Sequence, residues 1–251
     1  MSTLEFVSTS AGGITEGDAP LVTAPALVAA LGTHPTLTAP LVSGRAPGAG
    51  LIWRRLEEAA RFFGVAIPPV SVLHETLQNL VTEAQRRHGP ITLAARISVV
   101  ELDGRSEFLV SASVIEPVRP EPVALTVTPD PQTATVPHWR RMAARTSSHA
   151  ESDLTERELR AGGHADEVRV DGDLVYPPRL GALLVDTADG MVGAGADRLE
   201  LAREAGLLPA VTYSDAPVPI SVATRAWWVS PRFETHPVNA IGDRRFEMVP
   251  A

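Results

Sequence analysis

The chain has 251 residues, 44% of them hydrophobic and 21% charged, with no cysteine and a formal net charge of −8. That length can bury a sizeable core as one large domain or two small ones. Disulfides, thiolate metal sites and cysteine nucleophiles are excluded. An acidic balance disfavours nucleic acid or an anionic membrane as the main partner, since both select clustered positive charge.

No apolar run approaches the roughly 18 residues needed to span a bilayer, and MSTLEFVSTS lacks a basic-then-apolar leader pattern, so a cytoplasmic location is expected. All 22 basic residues are arginine, and lysine is absent. No side chain here can therefore form a Schiff base, which requires a primary amine able to lose its proton.

Residues 1–50 are rich in Gly, Pro, Ala and Thr. Val22–Leu31 and Thr36–Val42 read as short strands, or a strand and a helical turn, and Gly44–Gly50 as a flexible loop. No GxxxxGK pattern makes that loop a phosphate cradle. Apolar residues at Leu51, Ile52, Leu56, Ala59, Ala60 and Phe63 follow helical spacing, ended by Gly64 and Pro68-Pro69. A second helix is expected from Ser71, as its cap, to about Arg87, with Leu73, Leu77, Leu80 and Val81 on one face. Two strands, about Ile91–Val100 and Glu107–Ile115, flank the turn Asp103-Gly104. The alternating prolines of Glu116–Glu121 read as an interdomain linker, which sets the expected domains at 1–118 and 119–251.

In the second half, Val123–Thr128 reads as a strand. A helix after Arg145 carries Leu154 and Leu159 inside, with Glu151, Glu156 and Glu158 outside, and Gly162-Gly163 closes it. Val168–Val170 and Leu174–Tyr176 form a hairpin about Asp171-Gly172. Leu180–Val185 is a strand, Arg198–Ala205 a helix ended by Gly206, and Ala226–Ser230 a strand. Trp227 and Trp228 are adjacent on that last strand and so point to opposite faces. This order of elements predicts an α+β protein of two subdomains.

Four stretches in this order resemble the fold-type IV pyridoxal phosphate (PLP) enzymes, the class IV aminotransferases and their relative aminodeoxychorismate lyase. They span Leu51 to Ile241. Ile52–Pro68 is similar to the small-domain helix H-x-x-R-L-x-x-S-A with its following Gly and Pro. Arg145-Thr146-Ser147-Ser148-His149 is similar to K-T-x-x-Y. Gly163-His164-Ala165-Asp166-Glu167 with Asp171-Gly172 is similar to G-x-D-E-x-x-x-x-D-G, with the Asp-Glu pair one place later but the same total length. Trp227–Gly242 is similar to the strand, Thr-rich turn and Pro-Val that close the family's pattern. The resemblance implies a D-amino acid aminotransferase-like architecture, a ligand cleft between subdomains, and a homodimer.

The departures fall on the chemistry. By the resemblance, the PLP lysine corresponds to Arg145, the acidic partner of the pyridinium nitrogen to Pro177, and the Asn of the following strand to Ala182. The phosphate-binding G-x-T-R turn corresponds to Val192–Ala196, and the phosphate-contacting arginine to Arg55, which is unchanged. PLP acts as an electron sink through its imine link and a protonated ring nitrogen. With both supports missing, no cofactor is expected.

A guanidinium at Arg145 could clamp a carboxylate or phosphate in a bidentate fork, or pair with Glu151 or Asp153 on the surface. Arg55 and Arg96 could join it, or form salt bridges of their own. His149 could act as a general base or be structural, with His138 and His236 as further candidates and His164 solvated in the Gly-Gly turn. Tyr176 could fill the vacated cavity or stack on an aromatic ligand. Ser230 and Thr235 could offer hydroxyls to an anion. No His pair has metal-ligand spacing, and no G-x-S-x-G elbow occurs.

Two functions are compatible with this equipment. One is a PLP-independent enzyme of lyase, isomerase or dehydratase type. It would hold a small anionic substrate on Arg55, Arg96 and Arg145, with His149 or Tyr176 handling a proton. The other is a non-catalytic ligand-binding or scaffold protein on the same fold.

Overall fold

A computed structural model describes residues 5–9, 12–16, 34–42, 48–102, 104–115, 121–128, 142, 145–147, 150–208, 212–214 and 216–246. Helix-period and strand-period segments alternate along this chain, and they sort into two units with separate cores. One unit comprises Met1–Glu116 and Val136–His149; the other comprises Pro117–Thr135 and Ala150–Ala251. The chain leaves the first unit near the expected boundary of 118/119, but 136–149 belongs with the first unit rather than the second. Backbone bonding explains this. Thr36 donates to Arg145 O at 2.8 Å and Ser147 donates to His34 O at 2.8 Å, so this distant segment adds to the edge of the first sheet.

That sheet is antiparallel and contains β1 (Glu5–Thr9), β2 (Gly12–Glu16), β3 (Thr36–Val42), β4 (Thr92–Leu102) and β5 (Arg105–Val114), in the order β2-β1-β5-β4-β3. The β1–β2 hairpin has no counterpart in the sequence expectations. Val22–Leu31 and most of the 44–50 loop lie outside the described residues.

Register separates the two faces of this sheet. Leu37 pairs with Ile97 and Ile97 with Val110; Ala39 pairs with Ala95 and Ala95 with Ala112. These residues share one face, because side chains alternate along a strand. Of them, Ala39, Ala95, Ile97 and Val110 have no exposed surface.

Two helices accompany the sheet. α1 (Ala49–Phe63) buries Leu51, Ile52, Leu56, Ala59 and Ala60, and stops at Gly64, whose φ of 69° lets its N–H reach back to Ala60 O. α2 (Val70–His88) buries Leu73, Leu77, Leu80 and Val81. The expected cap, Ser71, lies inside its first turn. Pro69 occupies the cap position, where its missing N–H costs nothing, and its carbonyl accepts from Val72 and Leu73. The Trp53 indole fixes the connection by donating to Pro68 O at 2.8 Å.

The second unit begins with β6 (Val123–Thr128), α3 (Ala150–Ala161), β7 (Asp166–Asp171), β8 (Leu174–Val175), β9 (Ala182–Thr187), β10 (Gly190–Ala194) and α4 (Ala196–Glu204). It continues with β11 (Thr212–Ser214), β12 (Val218–Pro219), β13 (Arg225–Val229), β14 (Thr235–Ile241) and β15 (Arg244–Arg245). The strands form one mixed sheet in the order β11-β10-β9-β13-β14-β6-β7-β8-β12, with β15 on β14.

Its core gathers Leu125, Val168, Val175, Leu183, Val185, Trp228, Val238 and Ile241. In α3 the residues facing inward are Thr155 and Leu159, four apart on one face; Leu154, expected inside, is half exposed at 50%. Among the described residues, no helix is long and apolar enough to cross a membrane.

Candidate functional site

In the first unit, the sheet face opposite the aliphatic rows is rich in hydroxyls. β3 contributes Thr36 and Thr38, β4 contributes Arg96 and Ser98, and β5 contributes Ser111, with Thr38, Arg96 and Ser111 side by side in register. At one end Thr36 and Ser98 are buried and their hydroxyls bond each other at 2.8 Å. Arg96 and Ser111 are exposed. Among the described residues, the Arg96 guanidinium makes no hydrogen bond and no ion pair, although it is centred on a strand whose flanking positions carry hydroxyls.

Arg145 has a partner that the sequence expectations did not name: its Nη1 donates to Glu58 Oε2 of α1 at 2.5 Å, with the arginine side chain 18% exposed. Arg55 is half buried on α1, one turn before Glu58, so the spacing of i and i+3 sets the two on one helix face. His149 and His138 lie outside the described residues.

The second unit is organised around a buried acid, Asp166, and a half-buried arginine, Arg198. Asp166 opens β7 and is 0% exposed. Its Oδ1 accepts the Glu167 N–H at 2.8 Å, and its two oxygens accept the N–H groups of Leu180 and Gly181. The Trp228 indole donates to Oδ2 at 2.9 Å. Burial raises the Asp166 carboxyl above the ordinary carboxylate value; the indole and the three backbone donors work against that rise.

Arg198, in the first turn of α4, donates to Ser230 O, Pro231 O and Leu180 O at 2.9–3.2 Å. Its guanidinium also lies 5.1 Å from the Phe233 ring centroid. Burial pushes this guanidinium down to about 10, with Asp166 and Asp197 opposing. The Leu180 peptide is therefore held from both ends: Asp166 takes its N–H and Arg198 takes its C=O. Sequence reasoning missed Arg198, because a single arginine in a helix carries no signal that its guanidinium holds three backbone carbonyls.

The hydroxyl of Ser230 is fully used. It accepts the Arg232 and Glu234 N–H groups, each at 3.1 Å, and donates to Glu234 Oε2 at 3.3 Å. With both lone pairs and its proton engaged and only 3% exposed, it closes the β13–β14 turn and has no capacity left for an anion. Thr235 opens β14 opposite Val229 and is half buried.

His236 sits beside Trp228, ring centroids 5.6 Å apart, with Nδ1 3.2 Å from Glu121 O and Nε2 3.9 Å from Glu234 Oε2. His164, expected in solvent, has its Nδ1 buried without a hydrogen-bond partner among the described residues. Tyr176 carries the Arg169 guanidinium 3.3 Å over its ring centroid. Trp228 points to the core and Trp227 is half buried, consistent with opposite faces. No group of three or more metal-ligating side chains forms among the described residues.

This arrangement of elements is the fold of the fold-type IV aminotransferases. The PLP-bound form of a hypothetical aminotransferase from Mycobacterium tuberculosis is similar over 98% of this chain and 94% of that one, with a TM-score of 0.72 and 18% identity. The fold IV-transaminase CpuTA1 from Curtobacterium pusillum is similar over 97% of this chain and 94% of that one, with a TM-score of 0.69 and 18% identity. A putative 4-amino-4-deoxychorismate lyase from Legionella pneumophila is similar over 86% of each chain, with a TM-score of 0.56 and 14% identity. Neither a protein-family model nor a curated protein matches the sequence.

The residues present do not fit PLP as a covalent cofactor, since none of the 251 side chains is a primary amine. In the turn that the resemblance sets at the phosphate, Gly193 lies inside β10, where an added Cβ would meet Leu199 Cδ1 at 2.4 Å, so α4 packs closely against this position. Gly195 caps α4, and Asp197 already complements the positive end of that helix.

Proposed function

We propose that this chain is a fold-type IV protein that has left PLP chemistry and binds a small carboxylate-bearing molecule on the hydroxyl-lined face of its first sheet. The observation that carries this reading is Arg96. A strand arginine that is exposed, unpaired among the described residues, and flanked by Thr38 and Ser111 is equipped to take an anion in a bidentate fork with hydroxyls on either side. Arg145 is committed to Glu58 and serves the stability of the first unit. Arg55, on the face of Glu58, is assigned to the same cluster.

The lyase-type reading requires a proton carrier beside the anion. Tyr176 is covered on one face by Arg169, Asp166 and Arg198 are engaged in holding backbone, and His149 lies outside the described residues. The described residues therefore support binding. The family expectation of a homodimer belongs to the same proposal; light scattering should give twice the chain mass.

The test is a panel of small mono- and dicarboxylates in a calorimetric titration. At least one should bind saturably to the wild type and lose tenfold or more in affinity with Arg96→Met. Incubation with PLP followed by borohydride should leave no pyridoxyl group on any side chain. A side-chain pyridoxyl adduct, or carboxylate binding indifferent to Arg96, would defeat the proposal.

A further inference from the structure

A second arginine without an anionic partner among the described residues stands in the other unit. Along β7, Glu167, Arg169 and Asp171 alternate with the inward-facing Asp166, Val168 and Val170, so those three share the outer face. The chain after β8 runs back beside them: Tyr176 N–H donates to Arg169 O at 3.0 Å and Arg179 N–H to Glu167 O at 3.1 Å. On the other side, β6 sets Thr126 next to Glu167 and Thr128 next to Arg169. The face is thus built from three adjacent backbone segments.

Its charges are unevenly satisfied. Glu167 is taken by Arg179 Nη1 at 2.5 Å and by the Thr128 hydroxyl at 3.2 Å. The Arg169 guanidinium has neither hydrogen bond nor ion pair among the described residues. Its central carbon lies over the Tyr176 ring, 3.3 Å from the centroid, a separation at which an upright guanidinium would drive a nitrogen into the ring, so the two planes stack. Asp171, two residues along on the same face, is not bonded to it.

We propose that Arg169, held flat by Tyr176, is a binding site for a small singly charged carboxylate, separate from Arg96 and independent of it. Stacking fixes the guanidinium plane and leaves its N–H bonds pointing outward in that plane, where a carboxylate docks edge-on with two parallel bonds. The ordering cost of a long flexible side chain is met before the ligand arrives. The ring also shields one side of the cation from water, which strengthens the attraction. The neighbouring acids decide the ligand's charge. Glu167 is already neutralised by Arg179, which leaves Asp171 as the uncompensated acid on this face among the described residues, and it repels a phosphate dianion roughly twice as strongly as a monocarboxylate.

The test is an NMR titration of ¹⁵N-arginine-labelled protein with acetate, at ionic strength held constant with sodium chloride. The Arg169 Nε–H resonance should move saturably. Arg169→Met, which keeps the apolar stem over the ring, should abolish that response, and Tyr176→Leu should weaken it by about fivefold, the worth of an exposed cation–π contact. Arg96→Met should leave it intact, so failure here is distinguishable from failure of the first site. No saturable movement of Arg169, equal movement with chloride alone, or tighter binding of inorganic phosphate than of acetate would each overturn the assignment.

Discussion

The Trp228 indole donates its N–H to Asp166 Oδ2 at 2.9 Å, with Trp228 8% exposed and Asp166 wholly buried. One carboxylate thereby joins β13 to β7 and, through the Leu180 and Gly181 amides, to the entrance of β9. Removing it leaves several buried donors unsatisfied at once, and each such donor costs about 1–3 kcal/mol. Asp166→Ala should therefore destabilise the protein by about 3 kcal/mol or more, and Trp228→Phe, which withdraws only one donor, by about half that. Urea unfolding of the two variants checks the ranking; a Trp228→Phe cost equal to or above that of Asp166→Ala would show that the carboxylate is not the hub.

The same carboxylate sets a pH dependence. Burial raises its pKa in the folded state, while an unfolded Asp titrates near about 4. The folded protein therefore holds this proton more tightly than the unfolded chain does. The resulting stability is fully present below the unfolded value and is lost as pH rises through the folded one. Unfolding free energies of wild type and Asp166→Asn, measured in parallel from about pH 3 upward, should differ by an amount that shrinks with rising pH and then levels off. A difference that grows with pH would mean that the N–H donors outweigh burial.

How much of this was readable beforehand depended on how local the cause was. α1, the β4–β5 hairpin and β6 follow from apolar spacing and an Asp-Gly turn, all within a few residues. Ser71 misled because a good capping residue stood two places after Pro69, whose fixed φ suits a helix start better. Leu154 misled because Thr155, a weaker hydrophobe, takes the inward position one residue on.

The site was harder. Arg96 could be named as a candidate on a strand, but that its guanidinium finds no partner among the described residues is a fact of the folded face. The pairing of 145–147 with 34–36 spans 113 residues in the Ser147–His34 bond and has no local signature. Arg169 over Tyr176 requires knowing that the chain after β8 turns back beside β7.

Arg145 stands where the resemblance sets the PLP lysine, which invites restoration. Its side chain, however, is directed at Glu58. In Arg145→Lys the new amine should pair with that carboxylate, and PLP should give no visible aldimine band. The appearance of a borohydride-reducible adduct on residue 145 would contradict this. Arg145→Met should cost about 0.5–1 kcal/mol in thermal or urea unfolding, the range for a partly exposed ion pair. Arg96→Met, which breaks no described bond, should stay within about 0.5 kcal/mol of wild type.

Gly181 gives the sharpest steric case. A Cβ there would lie 2.3 Å from the Trp228 indole nitrogen and 2.5 Å from Val229 O. Its own N–H donates to Asp166 at 2.8 Å, so any displacement that relieves the clash also loosens the carboxylate. Gly181→Ala should cost about 3 kcal/mol, at the upper end for overpacking. Trp228→Leu in the same chain removes one obstruction but leaves the Val229 carbonyl, which is backbone and cannot rotate away. A double-mutant cycle should therefore show favourable coupling with incomplete rescue. Full rescue would assign the whole clash to the indole, and absent coupling would mean that the indole and residue 181 do not meet.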